Sequence, residues 1–115
     1  MIATITIGDK AEVAAAEYLA ARGHEIIAHN GKTKFCEIDI ISRYNDVQYF
    51  VEVKYRKAAG NAVAWGAISP KKQRQMRFAA EFYALKNKAN NIDMRLAAIS
   101  MTDEPPAVES YLELE

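Results

Sequence analysis

Glu37-Ile38-Asp39-Ile40-Ile41-Ser42-Arg43-Tyr44-Asn45-Asp46-Val47-Gln48-Tyr49-Phe50-Val51-Glu52-Val53-Lys54 decides how this chain of 115 residues is read. Residues two apart on a strand face the same way. Glu37 and Asp39 therefore share one side of their strand, and Glu52 and Lys54 share one side of theirs. Asn45-Asp46 lies between them, and both residues tolerate the positive φ that a two-residue hairpin turn needs. With that turn, Tyr44 pairs with Val47, and counting outward sets Asp39 opposite Glu52 and Glu37 opposite Lys54. Cross-strand partners hold their Cβ atoms about 4.5–5.5 Å apart. Two carboxylates at that range repel each other unless a cation joins them, and a divalent metal is the natural candidate.

Outward from the hairpin, the pattern predicts an α/β fold, a mixed β-sheet flanked by helices in the order αβββαβ with an extra C-terminal strand. Thr6 to Arg22 reads as a helix, capped by Thr6 with Asp9 three residues on, and closed by Gly23 at C′. Glu25 to His29 reads as a short strand that turns at Asn30-Gly31-Lys32. Phe35 to Arg43 and Val47 to Arg56 are the hairpin strands. Lys57 to Ile68 reads as a small-residue connection containing Gly60 and Gly66. Ser69-Pro70 then starts a helix, with serine as N-cap and proline at N1. This helix is expected to run to about Lys86–Ala89, with Lys72, Met76, Ala79, Ala80 and Tyr83 on one face. Asp93 to Met101 is a strand, Asp103 to Pro106 a turn, and Val108 to Leu114 a last strand. A helical crossover from Val53 to Leu96 would be right-handed and leave the strands it joins parallel.

The length predicts one domain over the whole chain, and with 50% hydrophobic residues a core needs no staples. Net charge is zero but unevenly placed. Val53 to Arg77 holds seven basic residues and no acid, whereas Asp103 to Glu115 holds five acids and no base. A basic middle can meet a polyanion even in a neutral chain, although solvated helix and strand faces would look the same. Cys36 stands alone, so no internal disulfide and no zinc cluster is expected. No signal peptide and no membrane-spanning run is visible, which predicts a cytoplasmic protein.

Asp39 and Glu52 supply the one or two carboxylates by which magnesium is commonly held. Bound metal lowers the pKa of its water and polarises a phosphoryl oxygen, as phosphodiester hydrolysis requires. Lys54, on the Glu52 face, can orient the attacking water or offset charge on the phosphoryl oxygens. Glu37 can steady Lys54 or act as an outer metal contact. The competing reading is a cross-strand salt-bridge lattice on a wet sheet face. Ile38, Ile40, Val51 and Val53 are expected to fill the opposite face, and Phe50 on the polar face argues that this side is not simply exposed. Glu12 shares a helix face with Ala15, Ala16 and Leu19, where a carboxylate is out of place unless used. Lys72, with Lys71 and Arg74 at a helix start, suits a phosphate as well as it suits solvent. Tyr44, Tyr55 and Trp65 can stack on bases or pack. His24 and His29 read as structural or surface residues.

At these residues the chain resembles the YraN-type proteins of the PD-(D/E)XK nuclease superfamily, which includes archaeal Holliday-junction resolvases. The match runs from about Gly8 to Met101. It rests on Gly8, Glu12, Ala15 and Tyr18-Leu19, then Gly23, Ile26-Ile27 and Asn30. It continues through Cys36-Glu37-Ile38-Asp39-Ile40-Ile41, Phe50-Val51-Glu52-Val53-Lys54-Tyr55-Arg56 and Lys72. The chain departs from the family pattern in having Cys36 for a glycine, and Ala97 where an acid often follows Arg95-Leu96. The resemblance implies a restriction-endonuclease-like core with Asp39, Glu52 and Lys54 as catalytic triplet and Glu12 as an added helical acid. It also implies a magnesium or manganese cofactor and a nucleic-acid substrate.

The expected activity is metal-dependent endonucleolytic hydrolysis of DNA, branched or single-stranded. Asp39, Glu52 and Glu12 would bind the metal. Arg56, Lys57, Lys71, Lys72, Arg74 and Arg77 would track the phosphate backbone. The alternatives are a non-catalytic nucleic-acid-binding module on the same scaffold, acting with partner proteins, and a protein-interaction domain. The resemblance to junction resolvases leaves a homodimer open, since a four-way junction is two-fold symmetric; the chain shows no clear dimer surface, with the last strand and Trp65 as the candidates.

Overall fold

The computed structural model describes residues 7–56, 68–88 and 92–114. Seven elements follow in the expected order. They are α1 (Ile7–Ala21), β1 (Glu25–Lys32), β2 (Glu37–Tyr44), β3 (Val47–Tyr55), α2 (Pro70–Lys86), β4 (Asp93–Thr102) and β5 (Ala107–Glu113). The five strands form one sheet in sequence order. Only the β3–β4 pair, which α2 bridges, is parallel.

Local chemistry sets the boundaries. α1 ends in a Schellman motif, in which His24 N–H donates to Leu19 O and Gly23 N–H to Ala20 O, both at 3.0 Å. Gly23 carries the positive φ of +100° that this motif requires. Asn45 and Asp46, at φ +50° and +61°, make the tight turn and set Tyr44 against Val47 as counted. Ser69 caps α2, its Oγ accepting from Lys72 N–H at 3.1 Å with Pro70 next. The Thr6 cap, Lys57, Gly60, Trp65, Gly66 and the Asn90-Asn91 helix end lie outside the described residues.

The helices cover opposite faces of the sheet. Ala11, Ala15, Ala16 and Leu19 of α1 pack on Ile40, Tyr49, Val51, Ala97, Ile99 and Met101. Met76, Ala79 and Ala80 of α2 pack on Ile41, Phe50, Leu96 and Ala98. Phe50 is fully buried, and enclosing a side chain of that size contributes about 2–3 kcal/mol. Glu52 follows Phe50 on the α2 face, so strand alternation carries it from that core to the end of the sheet.

The first turn and the start of β2 differ from the expected reading. β1 does not turn at Asn30-Gly31-Lys32 but continues through Lys32 against Glu37. Thr33 makes the turn instead. Its hydroxyl accepts from the N–H groups of Phe35 and Cys36 and donates to Cys36 O at 2.8 Å. Asn30 does take a positive φ of 52°, as an irregularity within the strand. Ile38 does not join Ile40 and Val51 but packs on the α2 side. The alternation breaks at Asp39, because the β2–β3 ladder stops at Ile40↔Val51 and β2 beyond it follows β1. Gly31, opposite Ile38, leaves room for Ile41, whose Cδ1 would lie 3.0 Å from an added Cβ.

Candidate active site

Where β2 leaves β3, the ladder opens into a fork, and Asp39 stands in it. Asp39 Oδ2 accepts the Val53 N–H at 2.8 Å, a donor that points toward β2 and has no β2 carbonyl to meet. This bond fixes the carboxyl beside Glu52, close enough for each acid to perturb the ionisation of the other. Glu52 is only 7% exposed. Burial pushes its carboxyl up from 4.5 to about 7, with the Asp39 charge adding to the effect and the Lys72 and Lys54 ammonium groups opposing it. Asp39 is also raised by burial, against the pull of the Val53 N–H. Counting from the turn sets Asp39 opposite Glu52 as a ladder partner. The ladder instead stops one rung short, at Ile40↔Val51, and Asp39 comes beside Glu52 by bonding the Val53 N–H.

Two lysines face the pair. Lys54 Nζ lies 3.7 Å from Glu52 Oε2, and Lys72 Nζ 3.9 Å from Glu52 Oε1. The sequence grouped Lys72 with a phosphate-binding helix start, but its side chain turns to the acids. That placement depends on the first turn of α2 lying near the end of β3, and no spacing in the chain encodes it.

Glu12 arrives from α1 on the other side. Its carboxyl is pushed up to about 7 by burial first, then by the charges of Asp39, Asp9 and Glu37. Asn30, with its amide nitrogen turned inward, donates to Glu12 Oε1 at 3.1 Å and Glu37 Oε1 at 3.0 Å. Asn30 therefore ties the helical acid to the strand, a role its composition as a turn residue concealed. Glu37 does not pair with Lys54; its strand partner is Lys32.

The remaining basic candidates are spread out. Lys71, Arg74 and Arg77 lie exposed on α2, and Arg56 lies at the end of β3 with its N–H on Met101 O. Tyr55 is tied by its hydroxyl to Asp103 O. Tyr44 stacks on His24 at the hairpin turn, where His24 Nδ1 also meets Ser42 Oγ at 2.9 Å. His24 is structural, as expected, and His29 is exposed.

The donor set fits a hard dication. Two touching carboxyls, both driven toward protonation by burial, gain their charged forms when a cation sits between them. Among the described residues no group of three His, Cys, Asp or Glu side chains forms a ready-made cage. Magnesium commonly keeps several waters and asks for fewer protein ligands than such a cage supplies.

Residues 11–101 match the family model described as "Uncharacterised protein family UPF0102". The chain belongs to this family. A UPF0102 protein of Shewanella denitrificans is 41% identical over 86 residues, covering 75% of this chain and 80% of its own length. One from Dichelobacter nodosus is 38% identical over 95 residues, 83% and 75% of the two chains. One from Clostridioides difficile is 35% identical over 94 residues, 82% of each. The UPF0102 match spans α1 to β4 and so contains every acid and lysine of the fork.

Proposed function

We propose that this UPF0102 chain is a metal-dependent endonuclease that hydrolyses DNA phosphodiester bonds. The observation that carries the reading is the contact of the Asp39 and Glu52 carboxyls in the fork, with two lysines on Glu52. Asp39 and Glu52 hold magnesium or manganese, with Glu12 as a further acid. The ion, when bound, supplies an acidified water and polarises a phosphoryl oxygen. Lys54 positions the water or offsets charge on the phosphoryl oxygens, and Lys72 holds a phosphate oxygen while screening Glu52. Asn30 keeps Glu12 aimed at the pair. Exposed Arg56, Lys71 and Arg74 follow the flanking backbone.

The test is incubation of the purified chain with four-way junction, flap, single-stranded and duplex DNA in magnesium. Cleavage of at least one substrate is expected, lost in EDTA and in Asp39→Asn while DNA binding remains. Asparagine keeps an oxygen for the Val53 N–H, so the variant isolates the charge. Binding without metal-dependent cleavage of any of the four would reject the enzyme. It would favour a non-catalytic DNA-binding module on the same scaffold.

A further inference from the structure

The turn before β2 and the outer face of α2 carry an aromatic cluster that the acid pair does not use. Phe35 is 38% exposed and Phe78 51%. Their ring centroids lie 5.6 Å apart at 38°, and Phe35 meets Phe82 edge-on at 6.1 Å. No pair is coplanar, so the rings do not cover one another's faces. Lys34 Nζ sits 5.5 Å from the centroids of both Phe35 and Phe82. The Thr33 hydroxyl bonds fix the turn that presents Phe35. Cys36, the next residue, feels the charges of Lys72, Glu52 and Asp39, so the cluster borders the acids. Phe78 lies about 9 Å along the helix from Lys72, a few nucleotides at most.

We propose that Phe35, Phe78 and Phe82, with Lys34, form a stacking platform for unpaired bases, which makes single-stranded or locally unpaired DNA the preferred ligand of this site. Its link to cleavage rests on the nuclease reading above. The patch asks for a partner with flat apolar faces and negative charge together, because a cation lies over its rings and exposed Lys71 and Arg74 share its helix. An unpaired DNA strand carries both, whereas a duplex hides its base faces in the stack. A second copy of the chain would instead bury the Lys34 ammonium against apolar surface, which is costly without a counter-charge.

The experiment uses the full chain carrying Asp39→Asn, so that nothing is cut, and reads fluorescence anisotropy with three labelled ligands. These are a single strand, the same strand with abasic sites, and the duplex. The base-bearing strand should bind about tenfold more tightly than the abasic one. Phe78→Ala should remove most of that difference and leave duplex affinity unchanged. Phe78→Tyr, which keeps the ring, should retain it, and the matching Phe35→Ala variant guards against a folding fault in either. Equal binding of both single strands, no DNA binding at all, or a Phe78→Ala loss shared by all three ligands would overturn the platform. So would sedimentation showing that Phe78→Ala dissociates a dimer. Base-selective binding by a wild-type chain that cleaves nothing would keep the platform and reject the nuclease. Metal-dependent cleavage with no base selectivity would do the reverse.

Discussion

The β2–β3 hairpin is one pair of strands with two unlike ends. At the turn, Ser42, Tyr44 and Tyr49 gather around His24. The imidazole has Ser42 Oγ at 2.9 Å, the Tyr44 ring stacked at 5.0 Å and the Tyr49 ring at 4.8 Å. A hollow of about 340 Å³ opens there, lined by Arg22, His24, Tyr44, Tyr49, Tyr111 and Glu113. At the fork, acids are packed against acids, and burial raises both members of the pair. Neighbours hold the His24 imidazole at the first end, whereas the second crowds two carboxyls together, a conflict that Lys54 and Lys72 offset only in part. A chain that retains such a conflict uses it, which is why the fork rather than the hollow is read as the centre of chemistry.

Substitutions at the two ends should therefore fail in opposite ways. The largest effect belongs to the fork. Asp39→Asn is expected to lower magnesium-dependent cleavage by roughly a hundred- to a thousandfold, with no loss of thermal stability. Cleavage that survives this change would remove the distinction between the ends. Next comes the turn end. Tyr49→Ala empties a site that is 7% exposed and should cost about 3 kcal/mol in urea denaturation, with DNA affinity per folded molecule unchanged. Gly23→Ala should cost about 1–2 kcal/mol, since φ is +100° and an added Cβ would meet the Tyr44 ring at 2.9 Å. A matching change in the near-ultraviolet signal of the tyrosines would place that strain at the ring.

The smallest effect carries the clearest sign. The folded chain binds the Glu52 proton more tightly than the unfolded chain does. Its contribution is thus fully present below pH 4.5 and is lost as pH rises toward about 7. Metal-free protein should lose stability across that window, and magnesium should restore it at pH 8. Glu52→Gln, which cannot ionise, should be more stable than wild type at pH 8 in EDTA and nearly equal to it at pH 4.5. Equal urea midpoints at pH 8 would mean that Glu52 carries no buried conflict.

What could be read from the chain was local or periodic. The Asn45-Asp46 turn fixes the register by counting as far as Ile40↔Val51, one rung short of Asp39 and Glu52. Gly23 and Ser69 mark helix ends by chemistry that acts within a few residues. What escaped was tertiary. Lys72 reaches Glu52 because α2 crosses back over the sheet. Asn30 joins Glu12 to Glu37 because Thr33, not Asn30, makes the turn. Phe35, Phe78 and Phe82 are scattered in sequence and meet only when that turn leans on α2. Ile38 broke a period of two because a side chain, not the backbone, answered Val53.

That last substitution of one acceptor for another has a mechanical meaning. By capturing the amide of Val53, the carboxylate of Asp39 works as a wedge that stops two strands from zipping together. An isoleucine there would free the next rung to close and would yield a longer, plainer hairpin. The same oxygen atoms that would hold the proposed ion thus also keep its doorway ajar.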